Sequence, residues 1–302
     1  MRFSLILIFH NQRDFVRAAM DSALGQGVDG IEVIAVDDGS TDGTREVLSE
    51  YGDRARLILC DENQGTCAAR NAGTEAATGD YLAYLDGDDA FMPWAIQAYR
   101  RVAERQTPAV MMGPMHWFEG ALPEPGPIPE SVSYVRYDDY FAKERVVDIS
   151  ASAIVISRRA LEAVDGWDGF PVDDLHLLYR LGTAGPFVQL TEPYTTLHRR
   201  HAGQIIRQTG KLVEAADWLV ANDKDGRYPG GAARRRDRRA SIGGIVLHWG
   251  RTHARAGARA DALRFVLGHG GYVLAALTLR AQRDLRGRRA PQTDALWGAG
   301  LS

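Results

Sequence analysis

The stretch Gly79-Asp-Tyr-Leu-Ala-Tyr-Leu-Asp-Gly-Asp-Asp89 decides the fold. An apolar run, Tyr81–Leu85, stops abruptly on the carboxylates of Asp86, Asp88 and Asp89. A run this short, bounded by glycines and acids, reads as a buried strand ending in a loop. The same pattern occurs twice upstream. Phe3–Phe9 ends in His10-Asn11, and Glu32–Val36 ends in Asp37-Asp38-Gly39-Ser40-Thr41-Asp42-Gly43-Thr44. Between the strands, Asp14–Gln26 carries Phe15, Ala19 and Ala23 on one helical stripe. Ser40 or Asp42 is placed to cap the helix through Val47 and Leu48. Arg56–Cys60 reads as a third strand, and Thr66–Thr78 as an alanine-rich helix with Gly79 as its C-cap. Pro93 suits the first turn of a helix running to about Arg105. Strands that alternate with helices predict a doubly wound α/β domain with a mostly parallel sheet.

Downstream, Val110–Met115, Ala153–Ser157 and Val188–Leu190 read as strands, and Leu175–Leu181 as a short helix. Pro123, Pro125, Pro127 and Pro129 mark an irregular segment suited to a loop near a site. From Lys211 the pattern is mainly helical. Residues 228–241 read as a Gly/Arg-rich linker, followed by apolar elements at Ile242–Trp249 and Ala262–Arg283.

The formal net charge of −3 hides an asymmetry: residues 227–302 carry fifteen arginines, no lysine and four acids, or +11, against −14 for residues 1–226. Such a tail suits an anionic membrane surface, a homodimer or domain interface, or a solvated face. Only three of the 36 basic residues are lysines, so part of the bias is compositional. No helix-turn-helix, zinc-finger or aromatic-basic pattern points to nucleic acid. Two cysteines, Cys60 and Cys67, cannot supply a four-ligand zinc site. Phe3–Phe9 is far shorter than the ~20 residues that cross a bilayer, and Ala262–Leu279 is broken by Arg264, His269 and glycines. The expectation is a cytoplasmic protein, or one peripheral on the cytoplasmic face of the inner membrane.

In a parallel α/β sheet, ligands bind outside the carboxyl ends of the strands. Two acidic loops, Asp37/Asp38 and Asp86/Asp88/Asp89, fall at such ends. Gathering these charges is unfavourable unless a cation or hydrogen-bonding ligand joins them. Asp86 and Asp88 suit a hard cation such as Mg²⁺ or Mn²⁺ with positions left for phosphate oxygens. Asp38 can accept hydrogen bonds from a base edge, or it can simply cap its loop. Arg70, in Ala-Ala-Arg-Asn, can contact a nucleotide anion or form an internal salt bridge. No G-x-G-x-x-G follows the first strand, and neither a phosphate-loop motif nor a G-x-S-x-G elbow is present.

These residues together resemble a family 2 glycosyltransferase of the GT-A fold, a Rossmann-like, mostly parallel sheet with flanking helices. The resemblance runs through Ser4–Asn11, Val36–Gly43, Asn63-Gln-Gly65, Ala69-Arg-Asn71, Gly79–Asp89, Val164–Phe170, Asp173-Asp174 and His198-Arg-Arg-His201, in order, over residues 2–210. It implies a catalytic domain at 1–215, with a nucleotide-binding half at about 1–110 and an acceptor-binding half at about 111–215, followed by a basic, mainly helical extension at 216–302. It also implies a UDP-linked nucleotide-sugar donor, a divalent metal, a saccharide or lipid-linked saccharide acceptor, and inversion. Asp38 would read uracil, with Phe9, His10 and Asn11 near the base, and Arg70 and Arg199 would help hold the donor. Asp88 would ligate the metal, with Asp86 on the metal, sugar or ribose, Asp89 behind them, and His201 near the metal or diphosphate. Asp174 would be the general base and Asp173 the acid preceding it. Asp174 outside the family would read as a helix cap. Trp167 would stack on a sugar or pack in the core, and His176 and Leu178 depart from the family pattern near the acceptor. The competing readings are a sugar nucleotidyltransferase, for which the glycine/basic motif after the first strand is missing, and a non-catalytic sugar-nucleotide-binding or assembly protein.

Overall fold

Every residue of β1 (Phe3–Phe9) is buried, as expected for a central strand covered on both faces. Its period-2 alternation splits the core: Leu5, Leu7 and Phe9 face one layer, and Ile6 and Ile8 face the other. The computed structural model describes residues 1–144, 149–169, 172–200, 209–255, 257–286 and 289–297. After β1 come α1 (Val16–Leu24), β2 (Ile31–Asp38), α2 (Thr44–Ser49), β3 (Arg56–Cys60), α3 (Thr66–Ala76), β4 (Tyr81–Asp86), β5 (Ala90–Phe91) and α4 (Ala95–Gln106). The chain continues through β6 (Val110–Met112), β7 (Met115–Phe118), β8 (Ser131–Tyr137), β9 (Ile154–Ser157), α5 (Arg158–Glu162), α6 (Asp173–Arg180), β10 (Phe187–Glu192) and β11 (Thr196–Arg199). It closes with α7 (Thr209–Lys224), α8 (Arg235–Arg255), α9 (Arg259–Gly268), α10 (Gly270–Arg286) and β12 (Gln292–Ala295).

Among the described residues the main sheet has the order β12-β8-β10-β6-β9-β4-β1-β2-β3, and a small sheet has the order β5-β11-β7. Strands β4, β1, β2 and β3 run parallel, so the ends of β1, β2 and β4 open on one edge. Helices α1 and α4 cover one face, with Val16, Ala19 and Met20 of α1 and Ile96, Tyr99 and Val102 of α4 buried. On the other face α3 approaches β1 closely. A Cβ on Gly73 would lie 2.4 Å from Ile6 Cγ2, so only glycine lets the helix sit there.

Several local expectations are corrected. The Val110–Met115 run breaks into β6 and β7 at Gly113-Pro114, where proline lacks a donor and a Cβ on Gly113 would lie 2.0 Å from Thr195 Oγ1. Gly79 is not the C-cap of α3, which ends at Ala77; it is needed because a Cβ would lie 2.6 Å from Ser4 Oγ. Gly43, with φ +96°, occupies the N-cap of α2, while Asp42 Oδ1 accepts from Thr44 N at 3.0 Å. The 228–241 segment is not a linker throughout. Helix α8 begins at Arg235, and Arg238 forms a buried ion pair with Asp223 at 2.7 Å.

The C-terminal segment packs against the rest of the fold. Ile242, Ile245, Val246 and Trp249 of α8 share a hydrophobic cluster with Leu177 of α6 and Phe141. Strand β12 then pairs antiparallel with β8, covering an edge of the main sheet, and Leu296 beside it is fully buried. Among the described residues no single helix is long and apolar enough to cross a membrane; α9 and α10 pass that test only together, across an 84° bend.

Candidate active site

A cavity of about 1100 Å³ opens at the carboxyl ends of β1, β2 and β4. Its walls include Phe9, His10 and Gln12 after β1, Asp38 at the end of β2, Asp86 and Asp88 after β4, Arg70 of α3, and Asp173 and Asp174 of α6. The parallel topology therefore gathers residues spread over more than 160 positions of sequence at one edge, as the crevice rule for open α/β sheets requires.

Asp38 is 4% exposed, and its two oxygens accept from Gln64 N at 2.8 Å and Gly65 N at 2.9 Å. Two backbone donors fix the orientation of the carboxylate at the cavity wall. Gly39 makes this loop possible: at φ +69°, a Cβ would lie 2.5 Å from Asn63 N. His10 Nδ1 lies 2.8 Å from Asp38 O, and Thr41 N donates to Asn11 Oδ1 at 2.8 Å. Asn11, at φ +52°, is thus a clasp between the β1 and β2 loops and does not line the cavity. Asp37 faces away and takes Arg45 at 3.1 Å.

Arg70 is 3% exposed and bridges two carboxylates: Nη2 lies 2.8 Å from Asp86 Oδ1, and Nη1 pairs with Asp173 Oδ2. Its guanidinium stacks 4.6 Å from the Trp167 ring centroid. Asp173 also accepts from Thr66 Oγ1 at 2.8 Å, which ties α6 to α3. Trp167 is 2% exposed and is clamped by Asn71, whose Nδ2 donates to Trp167 O at 2.9 Å and whose Oδ1 accepts from Trp167 N at 2.8 Å. Trp167 is therefore a packing aromatic under Arg70.

Asp174 sits in the first turn of α6. Its Oδ1 accepts from Leu175 N at 2.6 Å, and among the described residues its second oxygen has no hydrogen-bond partner. The N-cap position belongs to Val172. Burial, then the charge of Asp173, pushes the Asp174 carboxyl up to about 7, while Leu175 N and Arg70 act against that rise. A carboxyl held near neutrality is suited to take up a proton.

Asp88 lines the cavity, and its backbone O accepts from Arg199 Nε at 3.0 Å. Asp89 is buried behind it, accepting from Ser152 Oγ at 2.6 Å and Arg199 N at 3.0 Å and lying 2.7 Å from His198 Nδ1. Arg199 is 7% exposed between the rings of Phe15 and Phe118, and it also donates to Gly120 O. These contacts make it a brace between the β4 loop, β11 and residue 120, and it does not line the cavity. Its neighbour His198 does. Burial opposes the charge on His198, but the hydrogen bond and charge of Asp89, with Asp86 and Asp88, raise its pKa above the usual value. Among the described residues no group of three or more metal-ligating side chains gathers. His201, Phe170 and Arg288 lie outside the described residues.

His176 and Leu178 are in the core, 1% and 0% exposed, so this departure from the family pattern does not touch the cavity. His176 stacks on Trp218, and burial, with Arg180, depresses it to about 4. None of residues 123–129 lines the cavity either. Sequence reasoning missed Lys143, Ser241 and His248, which line the far end beside Leu277, Arg280 and Arg283 of α10. Lys143 stands in an irregular segment with no motif around it. The α10 residues read as apolar positions with arginines around them, suited to an acceptor side, a membrane surface or a dimer contact.

A mixed sheet whose N-terminal strands β4, β1, β2 and β3 run parallel, with flanking helices and acidic strand ends, has the GT-A topology of nucleotide-sugar folds. The sequence profile of glycosyl transferase family 2 matches residues 4–165, more than half of the chain, and the protein belongs to that family. Among curated relatives, the succinoglycan biosynthesis protein ExoO of Rhizobium meliloti is 40% identical over 103 residues, covering 34% of this chain and 29% of its own. The Escherichia coli WfaP protein, a UDP-Glc:alpha-D-GlcNAc-diphosphoundecaprenol beta-1,3-glucosyltransferase, is 26% identical over 214 residues, covering 67% of this chain and 78% of its own. The chain spans about a third of the length of the first curated relatives it matches. S. aureus TarS residues 1–349, solved with UDP-GlcNAc, superposes with a TM-score of 0.57 at 14% identity, covering 94% of this chain and 93% of that one. The mannosyltransferase PcManGT of Pyrobaculum calidifontis, solved with GDP-Man and Mn²⁺, gives 0.56 at 17% identity, covering 93% and 87%. Both likenesses concern the fold.

Proposed function

We propose that the protein is an inverting glycosyltransferase that moves a single sugar from a nucleoside-diphosphate donor, UDP-linked, to a hydroxyl of a saccharide or lipid-linked saccharide acceptor in surface glycan synthesis. The observation that carries this reading is the placement of Asp38, Asp86/Asp88 and Asp174 on one continuous cavity at the strand ends.

Asp38, fixed by two backbone donors, offers its remaining lone pairs to an N–H of the base, with Phe9 and His10 on the same wall. Arg70 contributes indirectly: by bridging Asp86 and Asp173 it holds α3, the β4 loop and α6 at fixed separation. Asp174 then accepts the proton of the acceptor hydroxyl as that oxygen attacks the anomeric carbon, on the face opposite the departing diphosphate. The carboxylates fit a hard divalent ion, Mn²⁺ or Mg²⁺, through Asp88. Asp86, with one oxygen already on Arg70, would be a supporting ligand, and other positions would go to donor oxygens and water. When bound, such an ion neutralises charge on the leaving diphosphate. His201 is an additional proposed ligand outside the described residues.

Titration of UDP, GDP and dTDP by calorimetry, each with Mn²⁺, Mg²⁺ or EDTA, tests the donor site, with Asp88→Asn as control. Metal-dependent binding of one nucleotide that fails in the variant is expected. Folded protein that binds none of the three would remove the donor site. Binding without donor turnover in any acceptor mixture would favour the non-catalytic alternative.

A further inference from the structure

Half of the exposed large apolar side chains among the described residues lie on α9 and α10. Leu263 and Leu267 of α9 are 60% and 68% exposed, and Leu274, Leu277 and Leu285 of α10 are 62%, 49% and 87% exposed. Their spacing is helical. Leu263 and Leu267 are four apart, and Leu274, Leu277, exposed Ala281 and Leu285 follow one stripe of α10. The opposite faces are committed to the fold: Ala262 and Phe265 of α9 and Tyr272 and Val273 of α10 are buried. Two glycines of α8 set that packing. A Cβ on Gly250 would lie 2.6 Å from Val266 Cγ2, and one on Gly243 would lie 2.0 Å from Tyr272 O. Both helices are therefore held against α8, and their leucine stripes point away from it.

Exposed apolar stripes of this length mark a surface that meets something apolar, and the charges around them say what. Residues 251–285 carry six arginines, two aspartates and no lysine or glutamate, or +4. Arg255, Arg259, Arg264 and Arg280 are exposed. Both aspartates belong to this set, Asp261 at 3.4 Å from Arg264 and Asp284 at 3.9 Å from Arg280. Asp217 of α7, 3.0 Å from His269 at the bend, still leaves the balance positive. An isologous contact between two copies would bring these arginines face to face, which is repulsive. An anionic bilayer surface suits both features, because leucines enter the acyl boundary while arginines meet the headgroups. Helix α9 has ten residues and α10 seventeen, each short of the ~20 that cross a bilayer, and the 84° bend keeps them from forming one straight span.

We propose that α9 and α10 form a docking face for an anionic lipid surface, on which the protein sits peripherally with the leucine stripes of both helices inserted and the neighbouring arginines at the headgroups. The face is separate from the acidic strand ends, and the inference does not rest on the glycosyl-transfer reading. Of the uses that apolar positions ringed by arginines suit, it selects the membrane surface.

The test is sedimentation of the full chain with vesicles of phosphatidylcholine alone or of phosphatidylcholine containing about a third phosphatidylglycerol, at low salt and at about 0.5 M salt. Binding to the anionic vesicles is expected, at least tenfold weaker on neutral ones and reduced by salt. Leu267→Gln with Leu274→Gln should weaken it about tenfold or more, since each leucine leaves an apolar environment. Arg255→Gln with Arg259→Gln should also weaken it about tenfold or more, on the anionic vesicles only. All four side chains are exposed, so both double variants should keep the parent's thermal unfolding, which checks that they are folded. Parent-like binding by both folded variants would overturn the docking face. Equal binding of the parent to neutral and anionic vesicles would overturn its anionic character. Protein that stays in the supernatant with both would overturn the membrane assignment, and a dimer that the leucine variant dissociates in the ultracentrifuge would give the face to a second copy instead.

Discussion

Replacing Arg70 with methionine tests the frame of the site. The side chain is buried, holds Asp86 and Asp173 together, and lies over Trp167. Methionine keeps the apolar stem and its contact with the indole but leaves two poorly solvated carboxylates facing each other. Removing one partner of a buried ion pair typically costs ~3–5 kcal/mol. For a chain of this size that corresponds to a drop in Tm on the order of 10 °C, measured by calorimetry or circular dichroism at pH 7.5. A cycle with Asp173→Asn sharpens the test. If the bridge is real, Arg70→Met should cost much less in the Asp173→Asn background, with a coupling of about 1 kcal/mol or more. The same change has a kinetic signature. Arg70 acts to lower the Asp174 carboxyl, so its loss should push that group further above about 7 and move the acid limb of kcat/KM to higher pH. A variant within 1 kcal/mol of the parent in stability, strictly additive with Asp173→Asn, and with an unmoved acid limb would refute both the bridge and its link to the base.

Asp174→Asn should lower kcat by roughly 10²–10⁴ while leaving UDP affinity unchanged, and the parent's kcat/KM should rise with pH through about 7 as the carboxyl loses its proton. The same raised carboxyl means that the folded state binds more protons than the unfolded between about 4 and 7, so its contribution to stability falls as pH rises through that window. Asp174→Asn should therefore gain Tm relative to the parent at pH 8 and not at pH 4. Asp88→Asn should abolish the difference between Mn²⁺ and EDTA in UDP binding, and a metal effect that survives in the variant would move the ion elsewhere. Gly39→Ala should destabilise by about 1–3 kcal/mol and weaken nucleotide binding, because the loop holding Asp38 has neither the φ nor the space for a Cβ.

The strands and helices of the first hundred residues are legible because each is a short apolar run with turn chemistry at its end, and because β1 is so evenly buried that its two faces both read as core. The acidic strand ends are legible for the same reason, since charge at the end of a buried run has few structural uses. What the sequence hides is which charges pair. Arg70, Asp173 and Asp86 are 103 and 16 positions apart, and nothing in their local patterns distinguishes a bridge from a ligand contact. Arg199 and Asn11 are similar cases: both fall in motif positions, and both spend their polar atoms on neighbouring loops. The start of α8 was hidden by composition, because arginines that make internal ion pairs with Asp139 and Asp223 read as a solvated run. Strand β12 has only four residues, mostly exposed, and owes its existence to the free edge of β8.

That pattern of pairing sets the charges along the cavity. At the strand ends Arg70 takes Asp86 and Asp173, while Arg199 braces the backbone of Asp88. At the far end Glu144, Asp237 and Asp284 line the wall beside Lys143, Arg280 and Arg283, with Arg234 on Asp237 and Arg289 on Glu144. The C-terminal helices are what give the cavity its second half. A chain lacking α8 to α10 would keep the strand-end carboxylates but lose the α8 and α10 residues that wall the far side of the cavity.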